Sequence, residues 1–406
     1  MTFDQLALVP ALLAALPANL QHPTRVQQLA IPAALAGRDL LALARTGSGK
    51  TLAFGLPLLQ RLDPALAEVQ GLVLVPTREL AVQVSEALQG PAAGLGLRLV
   101  TLCGGVEQAQ QQAELALGPQ LLVATPGRLR DLLGQQLLTL AGLHTLVLDE
   151  ADRLLEMGFW PDIQWLMKAM PDARQQMLFS ATLPAELEAL ATGLLKEPAR
   201  VETDPRNSVA DDIEERLYLV NKSSKVPALI SLLKAHEWPQ VLVFISARDD
   251  ADGVARKLAK AGIAVAALHG EKEQAVREQA LGDFKAGKVR VLVATDLMAR
   301  GIHVEALPLV INLDLPASAP VYVHRIGRTA RAGRSGLAIS LTCHGEADTL
   351  AAIRTLTGRE LPLADLTGFP VTDKPASGEG KRAPRDKQAN RRTQAKRSVK
   401  QFKGKA

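Results

Sequence analysis

The chain has 406 residues, 47% of them hydrophobic and only 3% aromatic, which predicts two or three domains with cores of Ala, Leu and Val. Its two cysteines, Cys103 and Cys343, exclude a disulfide framework and indicate a reducing compartment. The net charge of +5 is unevenly spread: residues 374–406 contain twelve Lys and Arg against two acids, and the rest of the chain is mildly acidic.

Residues 5–24 contain no Asp, Glu, Lys or Arg, so a membrane span must be considered. Two prolines, Pro10 and Pro17, interrupt the segment, and its apolar part is shorter than the roughly 20 residues that a span requires. The residues before it lack the basic start of a signal peptide. We therefore predict a soluble pair of short helices broken by prolines, in a cytoplasmic protein.

Short runs rich in Val, Leu and Ile alternate with helix-like segments along the chain. In the first half the runs are residues 39–44, 71–75, 97–102, 120–124, 144–148 and 176–180. In the second half they are residues 216–220, 240–245, 263–268, 289–294, 308–313 and 336–341. Apolar strands alternating with helices are typical of mainly parallel sheets covered by helices on both faces. We therefore predict two α/β domains of similar plan.

Residues 204–212 have the Pro, Asn and Asp content of a linker, so we place the first domain at residues 1–203 and the second at 213–367. Residues 368–406 contain few apolar side chains, and we predict that they form a disordered basic tail. Ligands of such sheets bind outside the carboxyl ends of the strands. The polar motifs directly follow the apolar runs, so we expect them to form one site.

The segment ARTGSGKT, residues 44–51, follows the first run and has the pattern of a phosphate-binding loop. Its small residues allow backbone N–H groups to surround a phosphate. Lys50 supplies a positive charge near the β- and γ-phosphates, and the Thr51 hydroxyl can reach Mg²⁺. The usual first Gly of the pattern is replaced by Ala44. The alternative is a simple Gly-Ser turn before a helix.

The segment LVLDEAD, residues 146–152, places three carboxylates directly after an apolar run. Asp149, Glu150 and Asp152 repel one another unless a cation neutralises them. With a phosphate loop upstream, we predict that Asp149 holds Mg²⁺, partly through water, and that Glu150 orients and deprotonates the attacking water. The alternative is a helix N-terminus at which acids are favoured.

The segment YVHRIGRTARAG, residues 322–333, places Arg325, Arg328 and Arg331 at a spacing of three. On a helix, residues three apart share a face. We predict that this positive face is directed at the first domain and supplies arginines to the ATP phosphates when the domains close. A solvated basic helix is the alternative, but glycines interrupt the run and paired acids are lacking.

Together these motifs resemble those of the DEAD-box ATP-dependent RNA helicases of superfamily 2, especially the bacterial members. The resemblance covers about residues 3–345, with the motifs in the order of the family. It implies two tandem RecA-like domains, ATP and Mg²⁺ as cofactors, and RNA as the partner. It also implies an RNA-dependent ATPase that remodels short duplexes by domain closure, in ribosome assembly or RNA turnover. No segment indicates a dimer interface, so we expect a monomer.

The resemblance assigns the ATP site residue by residue. HPTRVQ, residues 22–27, resembles the Q motif, in which Gln27 reads the adenine edge, Thr24 supports the phosphate loop and the upstream Phe3 stacks on the base. The implied phosphate-loop residues are Thr46, Gly47, Ser48, Gly49, Lys50 and Thr51. The implied catalytic residues are Lys50, Asp149, Glu150 and the two γ-phosphate arginines, Arg328 and Arg331.

The resemblance also assigns contacts to the RNA backbone, which bind phosphates without reading sequence. These residues are Pro76, Thr77, Arg78, Gly105, Thr125, Arg128, Arg248, Gly270 and Thr295. The residues implied in coupling ATP to RNA are Asp152, Ser180, Thr182, Asp296, Arg300, Gly301, His303, His324 and Arg325. Within that set, His324 is expected to link to Asp152 and to the SAT segment, residues 180–182.

Four departures from the family pattern bear on these roles. Asn19 and Leu20 stand where the Q motif usually has Gly and an aromatic residue. Ala247 replaces a hydroxyl residue at an expected RNA contact, and Ala330 replaces a Gly between the two arginines. His303 stands where the family has Asp, a residue expected to contact the ribose or an arginine.

Two other functions would use similar motifs. An RNA clamp would bind RNA tightly with ATP but turn over negligibly, and the intact Glu150, Arg328 and Arg331 argue against it. A DNA helicase of the same superfamily would share the phosphate loop, but the Q-motif-like PTRVQ disfavours it. The basic tail is expected to tether RNA through phosphate attraction; a solubilising tail without a specific partner is the alternative.

Substituting His303→Asp should raise the RNA-stimulated ATPase rate or change its pH profile, because an imidazole cannot pair with arginine as a carboxylate does. The measurement is the ATPase rate with saturating RNA across a pH series. An unchanged rate with an unchanged pH profile would show that His303 does not weaken the coupling.

Overall fold

The computed structural model describes residues 1–17, 20–45, 47–203, 213–246, 248–296, 307–329 and 335–373. Two seven-stranded sheets follow one another along these ranges. In both sheets every paired neighbour is parallel. The predicted linker, residues 204–212, lies outside the described part, so the domain boundary there stays a prediction.

The strands of the first sheet are β1 (Leu40–Leu43), β2 (Gly71–Leu74), β3 (Leu99–Leu102), β4 (Leu121–Ala124), β5 (Thr145–Leu148), β6 (Gln175–Ser180) and β7 (Ala199–Glu202). They are arranged in the order β3-β4-β2-β5-β6-β1-β7. The inner strands β1, β2, β4, β5 and β6 are buried along their whole length, which explains their continuous apolar sequence.

Helices cover both faces of the first sheet. They are α1 (Pro10–Ala14), α2 (Arg25–Leu35), α3 (Lys50–Gln60), α4 (Arg78–Gly94), α5 (Gln108–Leu115), α6 (Pro126–Gly134), α7 (Ala151–Glu156), α8 (Trp160–Met167) and α9 (Ala185–Leu194). Alternate strand residues belong to two separate cores, with α1 to α4 on one face and α6 to α9 on the other. The chain begins with a short 3-10 helix, Phe3–Leu6, and the uncharged segment that overlaps its end contains α1. Leu6 and Leu12 of these two helices are buried.

The second sheet contains β8 (Ile213–Leu219), β9 (Val241–Ile245), β10 (Val265–Leu268), β11 (Val291–Thr295), β12 (Leu309–Asn312), β13 (Gly336–Thr342) and β14 (Leu363–Asp365). Its order is β10-β11-β9-β12-β13-β8-β14. The described helices are α10 (Lys225–Ala235), α11 (Arg248–Lys260), α12 (Gln274–Lys285), α13 (Ala319–Ile326) and α14 (Ala347–Thr357).

The two sheets have the same topology, because each strand of the second occupies the position of the strand seven numbers earlier in the first. The predicted pair of α/β domains of similar plan is therefore confirmed, and all twelve predicted strands are present. Two strands were missed, β7 and β14. Both lie at a sheet edge and carry charged or exposed residues instead of an apolar run.

Residues 368–373, which the sequence assigned to the disordered tail, instead pack on the second domain. Phe369 contacts its apolar core. The Asn221 amide nitrogen donates to Thr372 Oγ1 at 2.8 Å, and the Thr372 backbone N–H donates to Asn221 Oδ1 at 2.9 Å. A single aromatic anchor and one side-chain amide therefore hold a segment whose composition alone indicates disorder.

The parallel sheets bring the predicted motifs to common edges. The phosphate loop follows β1, the DEAD segment follows β5, and the SAT segment begins at the end of β6. The expected RNA contacts follow β2, β3 and β4 at the same carboxyl edge. Within the described ranges, no helix combines the length and apolar character needed to cross a membrane.

Substituting Gly55→Ala should destabilise the first domain by about 1–3 kcal/mol, because the added Cβ would lie 2.2 Å from Leu88 Cδ2 where α3 packs on α4. The matched control is Gly193→Ala in α9, where the Cβ would meet no atom within 4 Å. It should stabilise the domain by about 0.5–1 kcal/mol through helix propensity. Urea denaturation of both variants measures the difference; equal stabilities would contradict the close packing at Gly55.

Candidate active site and RNA-binding edge

The phosphate loop lies between the end of β1 and the start of α3. Lys50 is buried, and its Nζ donates to Ala44 O at 3.0 Å, which places the ammonium group inside the turn. Ser48 Oγ donates to Arg45 O at 2.7 Å. Gly49 has φ +92°, which a side chain would oppose, and α3 begins directly after it. Carbonyl groups of the loop thus accept hydrogen bonds from within the loop. The N-terminus of α3, with its free backbone N–H groups, is left to bind a phosphate.

The other predicted loop residues differ in what the structure shows. Gly47 is part of the same turn, and Thr51 is the second residue of α3. Thr46 lies outside the described residues. The Thr51 hydroxyl therefore lies in the first turn of α3, next to the phosphate loop.

The Q-motif residues contact the phosphate loop. Gln27 Oε1 accepts from the Thr24 backbone N–H at 2.9 Å, and Gln27 Nε2 donates to Gly49 O at 3.0 Å. A Cβ on Gly49 would lie 2.5 Å from Gln27 Nε2 and 3.1 Å from Thr24 Oγ1. Phe3 is buried in the neighbouring core. Both Q-motif residues thus brace the loop, while the adenine contacts expected for Gln27 and Phe3 stay predictions.

The pKa values of the first two acids of the DEAD segment, Asp149 and Glu150, are shifted in opposite directions. Burial raises the pKa of Asp149 to about 6, although Lys50 opposes the shift. Burial would also raise the pKa of Glu150, but the cations Arg153 and Arg328 outweigh it and hold that pKa below its ordinary value. Glu150 is therefore ionised at neutral pH, as a base toward water requires.

Arg153 is a residue of this site that sequence reasoning missed. Its NH1 lies 3.3 Å from Glu150 Oε2, and both side chains are almost fully buried. The contact is an ion pair without hydrogen-bond geometry at that nitrogen. Glu150 itself has φ +50° and stands immediately before α7. The available signal was the spacing of three between Glu150 and Arg153 at a helix start.

Asp152 joins the two domains. Its Oδ2 accepts from Thr182 Oγ1 at 2.6 Å and from the Thr182 backbone N–H at 3.0 Å. His324 Nε2 of the second domain lies 2.8 Å from the same oxygen. Ser180 Oγ donates to Thr182 O at 2.8 Å and so orients the turn. Burial would raise the pKa of Asp152, but His324 and Thr182 hold it far below its usual range.

The prediction that Arg325 shares a face with Arg328 and Arg331 and is directed at the first domain is wrong. This side chain is 1% exposed and bound within its own domain. Its Nε and NH2 donate to the Asp296 carboxylate at 2.5 and 2.8 Å, and its NH1 donates to Asn312 Oδ1 at 3.1 Å. The helix α13 ends at Ile326, so helical spacing does not extend to the next arginine.

Arg328 lies just beyond α13 and is oriented differently from Arg325. Its side chain is buried, and its charge lowers the pKa of Glu150 across the domain boundary. The predicted site residues Arg300, Gly301, His303 and Arg331 lie outside the described residues, as does the side chain of Arg248. Among the described arginines of the second domain, Arg328 is thus the one whose charge acts on the ATP-site acid Glu150.

The expected RNA contacts of the first domain lie together at its carboxyl edge. Pro76 lies between β2 and α4. Thr77 caps α4, because its side chain accepts a hydrogen bond from the Leu80 backbone N–H at 3.2 Å, and Thr125 directly precedes α6. Arg78 NH1 donates to Gly105 O at 2.9 Å, and Arg128 NH2 donates to Val106 O at 3.1 Å. In the second domain Gly270 follows β10 and is exposed, whereas Thr295 ends β11 and is buried.

Two ion pairs cross between the domains beside these residues. Arg78 NH2 lies 3.8 Å from Glu278 Oε1, and Arg277 NH1 lies 3.8 Å from Glu79 Oε1. Each domain thus contributes one Arg and one Glu from adjacent positions. Sequence reasoning missed both pairs, because the charges are separated by about two hundred positions along the chain.

Comparison with known families agrees with this geometry. Residues 24–190 match the model of the DEAD/DEAH box helicase family, and residues 224–333 match the helicase conserved C-terminal domain. The Escherichia coli K12 ATP-dependent RNA helicase DbpA is 45% identical over 325 residues, covering 80% of this chain and 71% of that protein. The chain belongs to the DEAD-box ATP-dependent RNA helicases.

Another DEAD-box relative is the ATP-dependent rRNA helicase RRP3 of Debaryomyces hansenii, 40% identical over 89% of this chain and 76% of the relative. Among solved structures, S. cerevisiae Dbp5 bound to RNA and ADP BeF3 has a TM-score of 0.81 at 30% identity, covering 90% of this chain and 95% of Dbp5. The two RecA-like domains, nucleotide binding, RNA binding and ATP-dependent helicase activity are thereby established for this DEAD-box chain.

The same comparison distinguishes two arrangements of the domains. A Dbp5 variant bound to RNA and ADP BeF3 has a TM-score of 0.80 to this chain. The variant bound to Nup159, Gle1, IP6 and ADP has a TM-score of 0.60. This DEAD-box chain is therefore more similar overall to the RNA-bound form than to the form with ADP, Nup159 and Gle1.

Substituting His324→Ala should lower RNA-stimulated ATPase activity about 10- to 100-fold, because a hydrogen bond to a buried carboxylate contributes about 1.5–3 kcal/mol to closure. Nucleotide affinity without RNA should be unchanged, because the phosphate loop lies in the other domain. The control is Ser318→Ala, which removes an exposed interdomain hydrogen bond of 3.2 Å to Glu156 and should change the rate less than about threefold. Equal effects of the two variants would contradict a special role for the buried contact.

Proposed function

We propose that this helicase uses ATP and Mg²⁺ to close its two domains on RNA and so separates short duplexes locally. The observation that supports this most is the shared Asp152 oxygen, which receives Thr182 from the first domain and His324 from the second. The network lies two residues from Glu150, so the water-activating acid and the closing contact are coupled. Closure and hydrolysis then depend on each other.

In this proposal Lys50 neutralises the β- and γ-phosphates and Glu150 deprotonates the attacking water. Arg328, which reaches the acids only across the domain boundary, stabilises charge on the transferring γ-phosphate, as does Arg331. The lowered pKa of Glu150 keeps its carboxylate ionised, so that it is free to accept a proton. Because Arg328 belongs to the second domain, an open molecule would lack this charge and hydrolyse ATP slowly.

The residues present fit Mg²⁺. Among the described residues no three His, Cys, Asp or Glu side chains form a cluster that would hold a metal ion directly. Mg²⁺ generally keeps several waters and binds one or two carboxylates together with substrate phosphates. Asp149 and the Thr51 hydroxyl supply such hard oxygen donors, and when bound the ion would neutralise phosphate charge. Metal binding would favour the ionised form of Asp149, which burial disfavours.

RNA would lie across the carboxyl edges of both sheets. The contacts proposed for the first domain are Pro76, Thr77, Arg78, Gly105, Thr125 and Arg128, and those for the second are Arg248, Gly270 and Thr295. Backbone N–H groups, hydroxyls and arginines at this edge suit phosphate and ribose, so binding would be largely independent of sequence. The crossed ion pairs beside these residues would add to closure when RNA is bound.

We propose ribosomal RNA as the substrate class, on the strength of the relative RRP3, which is named an rRNA helicase. We also propose a cytoplasmic monomer, whose basic residues 374–406 tether RNA without reading sequence. The contacts of Asn221 with Thr372 fix the residues just before this tail to the segment that follows β8.

ATP hydrolysis should rise with RNA and not with an equal amount of DNA. In Glu150→Gln the RNA-stimulated rate should fall about 100-fold or more while ATP-dependent RNA binding persists, because a positioned base contributes about 10²–10⁴ to the rate. The measurement is steady-state phosphate release, with a short-duplex unwinding assay in parallel. ATP-dependent RNA binding by the unmodified protein without stimulated turnover would instead indicate an RNA clamp.

A further inference from the structure

The loop after β3 is held by side-chain donors from three directions. Gln111 Nε2 donates to Cys103 O at 2.9 Å, Arg78 NH1 to Gly105 O at 2.9 Å, and Arg128 NH2 to Val106 O at 3.1 Å. Three carbonyls of one short loop are therefore occupied by the protein itself.

The exposed side of that loop consists of Gly104 and Gly105. In the described part of the chain, their backbone N–H groups have no hydrogen-bond acceptor. Gly105 has φ +78°, and a Cβ there would lie 3.1 Å from Arg78 NH1. The occupied carbonyls and free N–H groups give this loop the polarity that an RNA phosphate or ribose oxygen requires.

Gln111 is the member of this arrangement that is out of reach of RNA. It lies on α5 and is only 1% exposed. Its amide nitrogen holds Cys103 O, and its amide oxygen accepts from Arg128 NH1 at 3.2 Å. Both polar atoms of a buried amide are therefore used, one on the loop and one on the arginine.

The orientation of the Arg128 guanidinium group depends on Gln111. Its NH1 and NH2 are bound by Gln111 and by the Val106 carbonyl, so the guanidinium is fixed at the N-terminus of α6 beside the loop. A flexible arginine would lose side-chain entropy each time RNA bound, whereas a fixed one has already lost it.

We propose that Gln111 is a positioning residue for RNA binding, which fixes Arg128 and the loop at residues 103–106 in the geometry that receives the RNA backbone. This inference rests on the proposed contact of Arg128 and Gly105 with RNA. Gln111 does not touch RNA; it acts by joining two separate contact segments, one after β3 and the other after β4.

The test measures binding of a fluorescent single-stranded oligouridine to the full chain with a non-hydrolysable ATP analogue, as a function of salt. Gln111→Leu should weaken RNA binding about tenfold, because two hydrogen bonds are lost, one to a charged group. The salt dependence of the affinity should fall by about 0.7 in log–log slope if Arg128 no longer holds its phosphate. Nucleotide affinity without RNA should not change.

The matched control is Gln110→Leu. Gln110 is the preceding residue of α5, is exposed, and bonds Glu114 at 3.2 Å on its own helix. This variant should bind RNA within about twofold of the unmodified protein. If it weakens binding as much as Gln111→Leu, the effect belongs to the helix as a whole and the inference is overturned.

Two further variants separate the possible failures. Arg128→Leu should also weaken RNA binding, and adding Gln111→Leu to it should cost less than about threefold more, because the two residues act together. If Arg128→Leu has no effect, the proposed RNA contact is wrong and the inference falls with it. If Arg128→Leu weakens binding but Gln111→Leu does not, only the inference is overturned.

If Gln111→Leu loses nucleotide binding as well, the variant has a general folding defect. The smaller change Gln111→Glu then tests whether Gln111 positions the loop for RNA. Glutamate retains the size and the oxygen that accepts from Arg128, but cannot donate to Cys103 O. Its RNA affinity should fall with nucleotide affinity retained, and unchanged RNA affinity would overturn the proposal.

Discussion

The active closed form depends on the buried carboxylate of Asp152. A charge in an apolar interior is stable only when donors surround it, and leaving one unpaired costs about 3–5 kcal/mol. Thr182 supplies two of the donors from the same domain, and His324 supplies the third contact from the other. The domains therefore complete an electrostatic network when they meet. Because the same segment contains Glu150, the closing contact and the acid proposed to activate water lie on one short stretch of backbone.

The two domains have the same strand order but contribute differently to the site. In the first, the carboxyl edge of the sheet presents loops: the phosphate loop after β1 and the segments proposed to contact RNA after β2, β3 and β4. In the second, the helix α13 contributes His324, and the turn after it contributes Arg328. Arg325 stays within its own domain, bound to Asp296 with Phe244 4.9 Å from its guanidinium. These contacts fix Arg325 within the helix that also contributes His324, and a role of Arg325 in coupling stays a prediction.

Much of this fold was predictable because most inner parallel strands are apolar. The twelve predicted strands comprise all ten inner strands and the two edge strands β3 and β10. The edge strands β7 and β14 gave no such signal, since an edge strand needs little apolar sequence. Arg325 was misplaced because helical spacing was extended past Gly327, where the helix has ended. The ion pair of Arg277 with Glu79 also escaped prediction, because such pairing depends on which distant segments the fold brings together.

The phosphate loop and the loop after β3 share one physical design. In the first, Lys50, Ser48 and Gln27 donate to the carbonyls of Ala44, Arg45 and Gly49. In the second, Gln111, Arg78 and Arg128 donate to three carbonyls in the same way. A loop whose carbonyls are bound internally presents its N–H groups to an anion without repulsion. The two loops differ in the donors' exposure: those of the ATP loop are mostly enclosed, whereas Arg78 and Arg128 remain accessible. That difference suits a compact nucleotide in one case and a long strand that must enter and leave in the other.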